Sequence, residues 1–123
     1  MRRVRSRGNK TTEIKFVTIL RQARITGWRR HYKIEGKPDF AFPVSRTAVF
    51  VDGCFWHGCP RCYTTPRTNR RFWRRKLRRN KARDRLVTKA LAGQGWRVLR
   101  FWECTLRSHI TVLRRLRAAL GRA

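Results

Sequence analysis

The residues best suited to chemistry in this 123-residue chain are its four cysteines and the histidine lying among them. Three of the cysteines fall in Cys54-Phe55-Trp56-His57-Gly58-Cys59-Pro60-Arg61-Cys62, and Cys104 follows far downstream in Trp102-Glu103-Cys104. Short spacings broken by Gly and Pro let three thiolates converge on one ion, and Cys104 would complete a tetrahedral, all-cysteine zinc site. Four sulfurs fill the usual coordination number, which leaves His57 beside the metal and available for acid–base chemistry. Two other arrangements compete. The cysteines could form two disulfides, but Met1 to Lys10 is basic with no apolar run behind it, so no secretory signal is expected and a reducing compartment is. Alternatively, His57 is itself a ligand and one cysteine is a spectator.

Carboxylates are the second chemical resource. Lys and Arg number 33 against 6 Asp and Glu, a formal net charge of +27. A field so self-repulsive suits a polyanionic partner, and nucleic acid is the natural one. An anionic membrane fits less well, since the sequence has neither a lipidation motif nor an apolar segment of spanning length. Against this background Glu13, Glu35, Asp39, Asp52, Asp84 and Glu103 stand out. Asp39 follows Pro38 where a strand should open, and Asp52 falls where the next should end. Two acids at adjacent strand ends can hold Mg²⁺, which prefers oxygen ligands and keeps waters for phosphate to displace.

The elements that would position these groups can be read from periodicity and punctuation. Met1 to Lys10 reads as a basic flexible arm. Thr11 or Thr12 is expected to cap a helix running to about Ile25, with Ile14, Val17, Leu20 and Ala23 at helical spacing and Gly27 ending it. Strands are expected at Trp28 to Ile34, Phe40 to Val44 and Thr47 to Val51, the first two joined by a turn through Glu35-Gly36-Lys37-Pro38. Asn69 can cap a long helix from Arg70 to about Ala92, with Trp73, Leu77, Val87 and Leu91 as its apolar stripe. Gly93 and Gly95 close it, Trp96 to Trp102 forms a further strand whose tryptophans belong to the core, and Ser108 caps a last helix to Leu120. The order helix, three strands, helix, strand, helix describes one α/β domain over residues 11–123. It should be a small mixed β-sheet flanked by helices.

The Pro-Asp, strand, second-strand layout resembles the PD-(D/E)xK nucleases, which implies a restriction-endonuclease-like fold. The resemblance narrows when Gly36-Lys37-Pro38-Asp39-Phe40, Val49 to Cys59, Asn80-Lys81-Ala82-Arg83-Asp84, Gly95 to Leu99 and Trp102-Glu103-Cys104 are taken together. In this order they resemble the very short patch repair (Vsr) mismatch endonucleases from Thr11 to Arg107. The resemblance implies an enzyme that needs Mg²⁺, is stapled by Zn²⁺, and nicks one strand of double-stranded DNA beside a T:G mismatch. It further implies a monomer acting in the bacterial cytoplasm on the nucleoid. By the same resemblance Asp39 matches the metal-binding aspartate, His57 the catalytic histidine, and Asp84 the carboxylate that positions it. Glu13 matches a further active-site glutamate, and Cys54, Cys59, Cys62 and Cys104 match the zinc ligands. Phe55, Trp56 and Trp73 match aromatics that the family wedges beside the mismatch.

Two departures from the family pattern bear on mechanism. Val51-Asp52 stands where the best-known members carry Thr-His. A metal contact through the main-chain carbonyl survives the change to Val51, while Asp52 is a candidate either for an added metal ligand or for the lost histidine's role. Cys59 stands where a histidine is usual, one residue further from Cys62, so the metal loop must differ in shape. Taken on their own, several of these residues have plainer readings. Asp84 could be an ordinary helical ion pair with Lys81, Arg83 or Arg85, and tryptophans are more often structural than functional. Two functions therefore compete with a mismatch nuclease: a noncatalytic zinc module that binds nucleic acid by charge and stacking, and a related nuclease with another DNA target.

Overall fold

The computed structural model describes residues 10–53, 59 and 67–121. Three α-helices are described: α1 (Lys10–Gln22), α2 (Arg70–Gly93) and α3 (His109–Leu120). The strands are β1 (Arg29–Arg30), β2 (Phe40–Phe42), β3 (Thr47–Asp52) and β4 (Arg97–Trp102), and a 3₁₀ segment, Glu103–Arg107, joins β4 to α3. The strands form one sheet in the order β1-β2-β3-β4. The first two pairings are antiparallel and the third is parallel, Thr47 opposite Arg97 through Asp52 opposite Trp102. A parallel pair needs a long crossover, and α2 lies within it. The expected mixed α/β domain is thus the observed one.

Every residue of β3 is buried, and alternation sends its side chains into two different cores. Val49 and Val51, with Phe40, Phe42 and Phe101, meet Phe16, Ile19 and Leu20 of α1 and Val112 and Leu116 of α3. Ala48 and Phe50, with Ala41, meet Leu91 on α2 and Trp96. The sheet is therefore covered on both faces, which explains the near-continuous apolar run through Thr47-Ala48-Val49-Phe50-Val51.

Several boundaries differ from expectation for identifiable reasons. α1 starts at Lys10, so Thr11 and Thr12 lie within its first turn rather than at a cap. Its buried stripe is Phe16, Ile19 and Leu20, at i, i+3 and i+4, and Ile14 is 52% exposed. The helix stops near Gln22 because Arg24 and Gly27 take left-handed backbone, and the expected strand at 28–34 shrinks to Arg29–Arg30 because His31 does too. Asn69 precedes α2 in left-handed backbone without a side-chain cap, its main-chain carbonyl accepting from the Trp73 amide. Ser108 does cap α3, its hydroxyl accepting from the Thr111 amide. Gly36 is fixed by packing: its φ is +78°, and a Cβ there would collide with Val87 Cγ1 of α2.

Candidate active site

Asp39 sits immediately before β2 and is 2% exposed. β2 pairs with only half of β3, so the Val51 amide lies beyond the end of the shared ladder. That amide donates instead to Asp39 Oδ2 at 2.7 Å. The bond satisfies a buried N–H and fixes the carboxylate against the end of β3. Asp39 and Val51, expected to meet at a metal through a carboxylate and a main-chain carbonyl, are thus direct neighbours.

Asp52 is the last residue of β3 and is 4% exposed. Its counter-ion is Arg100, from the neighbouring strand β4, whose Nη1 donates to both carboxylate oxygens at 3.2 and 3.3 Å. Asp84 on α2 comes to the same place, Oδ1 lying 3.8 Å from Arg100 Nη1. Among the described contacts the cation facing Asp84 is thus neither Lys81, Arg83 nor Arg85 but a residue distant in sequence. Glu13, on α1, is 3% exposed and accepts from Arg30 Nη2 and, at 3.2 Å, faces His31 Nε2. His31 holds a left-handed φ of +52°, and its amide donates to the Asp39 main-chain carbonyl at 3.2 Å. A buried carboxylate, an exposed imidazole and Asp39 are therefore linked through one strained residue, the kind of backbone that recurs at functional sites.

Cys59 and Cys104 approach to 3.7 Å between sulfurs although 45 residues separate them. Sulfurs at ~2.3 Å from a tetrahedral zinc ion lie ~3.8 Å apart, so this pair has the separation of two ligands of one ion. A disulfide, at ~2.05 Å, is not what joins them. Cys54, Phe55, Trp56, His57 and Cys62 lie outside the described residues. Among the described residues no three His, Cys, Asp or Glu side chains gather closely enough to hold a metal by themselves.

Trp73 is half-buried near the start of α2 and packs edge-on against Phe72, ring centroids 5.0 Å apart. On another face of the same half of α2, Arg70, Arg71, Arg74, Arg75 and Arg78 line one concavity. α2 docks on the sheet through Val87 and Leu91, towards its C-terminal end, while this half presents arginines.

The family model described as DNA mismatch endonuclease Vsr matches residues 1–64. The chain belongs to the Vsr family. A Vsr relative from Lentzea aerocolonigenes, the type II nicking enzyme V.NaeI, is 53% identical over 70 residues, covering 57% of this chain and 42% of that protein. The type II nicking enzyme V.NmeDIP of Neisseria meningitidis is 51% identical over 71 residues, covering 56% and 48% of the two chains. The DNA mismatch endonuclease Vsr of Escherichia coli is 43% identical over 76 residues, covering 60% and 48%. This Vsr-family chain spans about half the length of the curated relatives it matches.

Sequence reasoning missed Arg100, Arg30, His31 and Phe72. For Arg100 a signal existed: a charged residue inside Val98-Leu99-Arg100-Phe101, where a strand between two cores has no room for an unpaired charge. His31 and Phe72 carried none, since one lies in a polar run and the other beside a more conspicuous tryptophan.

Proposed function

We propose that this chain is a Mg²⁺-dependent DNA endonuclease with a structural zinc site, nicking one strand of a duplex beside a T:G mismatch. The observation that carries the reading is the buried Asp39 carboxylate bonded to the Val51 amide, at a strand end shared with Asp52 and Asp84, in a Vsr-family chain. Burying a carboxylate is costly unless it is paired or its charge is used. Asp39 and the Val51 carbonyl are the groups that would hold Mg²⁺, which when bound neutralises charge developing on the phosphate. His57 would take the proton of the attacking water, its pKa suited to neutral pH. Asp84 would hold the imidazole in one tautomer, and Glu13 would order His31 beside the main chain of Asp39. The basic face of α2 would neutralise backbone phosphates, while Trp73, with Phe55 and Trp56, would enter the stack where a mispaired step is easily opened.

Zinc would be held by Cys54, Cys59, Cys62 and Cys104, and the Cys59–Cys104 separation supports that set. In this reading residues 11–123 act as one monomeric domain behind a basic arm, in the bacterial cytoplasm.

A second reading has its own support. Two relatives that are more than half identical over their matched segments are named type II nicking enzymes, a name that specifies strand nicking but no mismatch and leaves a nicking enzyme with another DNA target as the second reading. One experiment separates the readings: nicking of T:G and fully paired duplexes of the same sequence in Mg²⁺, with Asp39→Ala as control. Mismatch-dependent nicking lost in the variant supports the first reading, and equal nicking of both duplexes supports the second. Duplex binding without any nicking would leave a noncatalytic zinc module.

A further inference from the structure

Arg100 stands in the middle of β4 and reaches into the space between the end of β3 and α2. Nη1 donates to Asp52 Oδ1 and Oδ2 at 3.3 and 3.2 Å and lies 3.8 Å from Asp84 Oδ1. Nη2 donates at 3.2 Å to the Asp84 main-chain carbonyl and to Thr88 Oγ1, and Nε donates to Thr88 Oγ1 at 3.3 Å. The guanidinium carbon lies 4.3 Å from the centre of the Phe50 ring. All three nitrogens are thus engaged by protein groups, and stacking on Phe50 fixes the remaining degree of freedom. A guanidinium so committed has no fork to offer a phosphate. It is nevertheless not sealed in a core, since with Asp52, Asp84 and Trp102 it lines an open cleft of about 250 Å³.

We propose that Arg100 is a positioning residue that clamps Asp52 to Asp84 and so removes Asp52 from the magnesium-binding set. The proposal rests on the nuclease reading above. Two carboxylates drawn to one cleft repel each other, and a single guanidinium between them offsets that repulsion. Both Asp52 oxygens already accept from Arg100. A divalent cation on Asp52 would have to displace that bond and sit beside a fixed positive charge. The bond described for Asp39 Oδ2 comes instead from a neutral amide. Asp84 is held through both its main chain and its carboxylate, which sets the α2 turn that carries it.

The test compares Asp52→Asn, Asp39→Asn, Arg100→Met and Arg100→Lys in the full chain with its zinc retained. Mg²⁺ binding is titrated by calorimetry with matched duplex present, nicking is resolved into kcat and KM on T:G duplex, and unfolding midpoints are recorded. Asp52→Asn should leave the Mg²⁺ dissociation constant within about twofold of wild type, whereas Asp39→Asn should weaken it at least about tenfold. Arg100→Met should lower kcat by roughly tenfold or more with KM little changed, as expected when a positioned group is displaced, and Arg100→Lys should recover only part because it lacks the planar fork. Weakening of Mg²⁺ binding by Asp52→Asn comparable to that by Asp39→Asn would overturn the proposal, as would Arg100 variants that shift only the unfolding midpoint. If Arg100→Met does not fold, Arg100→Lys and the Asp52→Asn titration still decide. A wild type that binds Mg²⁺ but does not nick would refute the nuclease reading while the two titrations still test Asp52.

Discussion

At the scale of single residues, the protein's few carboxylates are placed where charge is difficult to keep. Glu13, Asp39 and Asp52 are each less than 5% exposed. Each has a dedicated partner: Arg30 with His31, the Val51 amide, and Arg100. Asp52 and Glu13 each face an arginine, whereas the bond described for Asp39 comes from an uncharged amide. On the proposed reading Asp39 is the metal-binding acid. Asp39→Ala and His57→Ala should therefore each abolish nicking while duplex binding persists, a loss of roughly 10²–10⁴ in rate for a positioned acid–base group. Single-turnover nicking and gel-retardation assays on the purified variants check this, and full cleavage by either would remove that residue from the mechanism.

At the scale of elements, α2 has two halves with different tasks. Its C-terminal half docks on the sheet through Val87 and Leu91 and delivers Asp84 and Thr88 to Arg100. Its N-terminal half carries an arginine-lined concavity on one face and, on others, Trp73 and Phe72, the latter 54% exposed. One rigid helix thus holds a basic face and an aromatic pair at fixed separations from the acidic cleft. Because base–aromatic stacking is worth about 1–3 kcal/mol, Trp73→Ala and Trp56→Ala should each lower the ratio of T:G to matched nicking rates roughly ten- to a hundredfold. Nonspecific duplex binding should fall far less. Variants that keep the full mismatch preference would show these rings to be packing residues, with recognition lying elsewhere.

For the molecule as a whole, two long-range forces oppose each other. A net charge of +27 on 123 residues works against compaction, and the Cys59–Cys104 contact ties the loop after β3 to the segment after β4. If one zinc ion holds that tie, about one equivalent should co-purify, and chelation should unfold the domain rather than merely inhibit it. Cys104→Ser should then behave like Cys54→Ser despite their distance in sequence; a metal-free chain that stays folded and active would contradict the site. The charge makes a separate prediction. Affinity for matched and mismatched duplex alike should fall steeply with salt, because phosphate neutralisation releases counterions. A flat dependence in filter-binding titrations would assign the charge to another purpose.

The sequence by itself determined the element order, the buried β3, the cap at Ser108, the membership of the Vsr family and a charge balance suited to a polyanion. Each follows from local signals: apolar periodicity, turn residues, a hydroxyl before a helix, motif order, or a sum of charges. It also placed Asp39 and Asp52 at strand ends, because Pro38 and Gly53 punctuate the chain there. Only the tertiary structure decided which groups meet. Asp84 reads as a helical ion pair until the parallel register sets Arg100 two residues from the end of β4, facing α2 and Asp52. Glu13 has no local reason to seek Arg30 and His31, and β1 shrinks to Arg29–Arg30 because left-handed turns at Arg24, Gly27 and His31 outweigh strand propensity. Partner choice among 33 cations is a matter of which one the sheet and helix bring within reach of a buried acid. Packing sets that distance, and local sequence does not encode it.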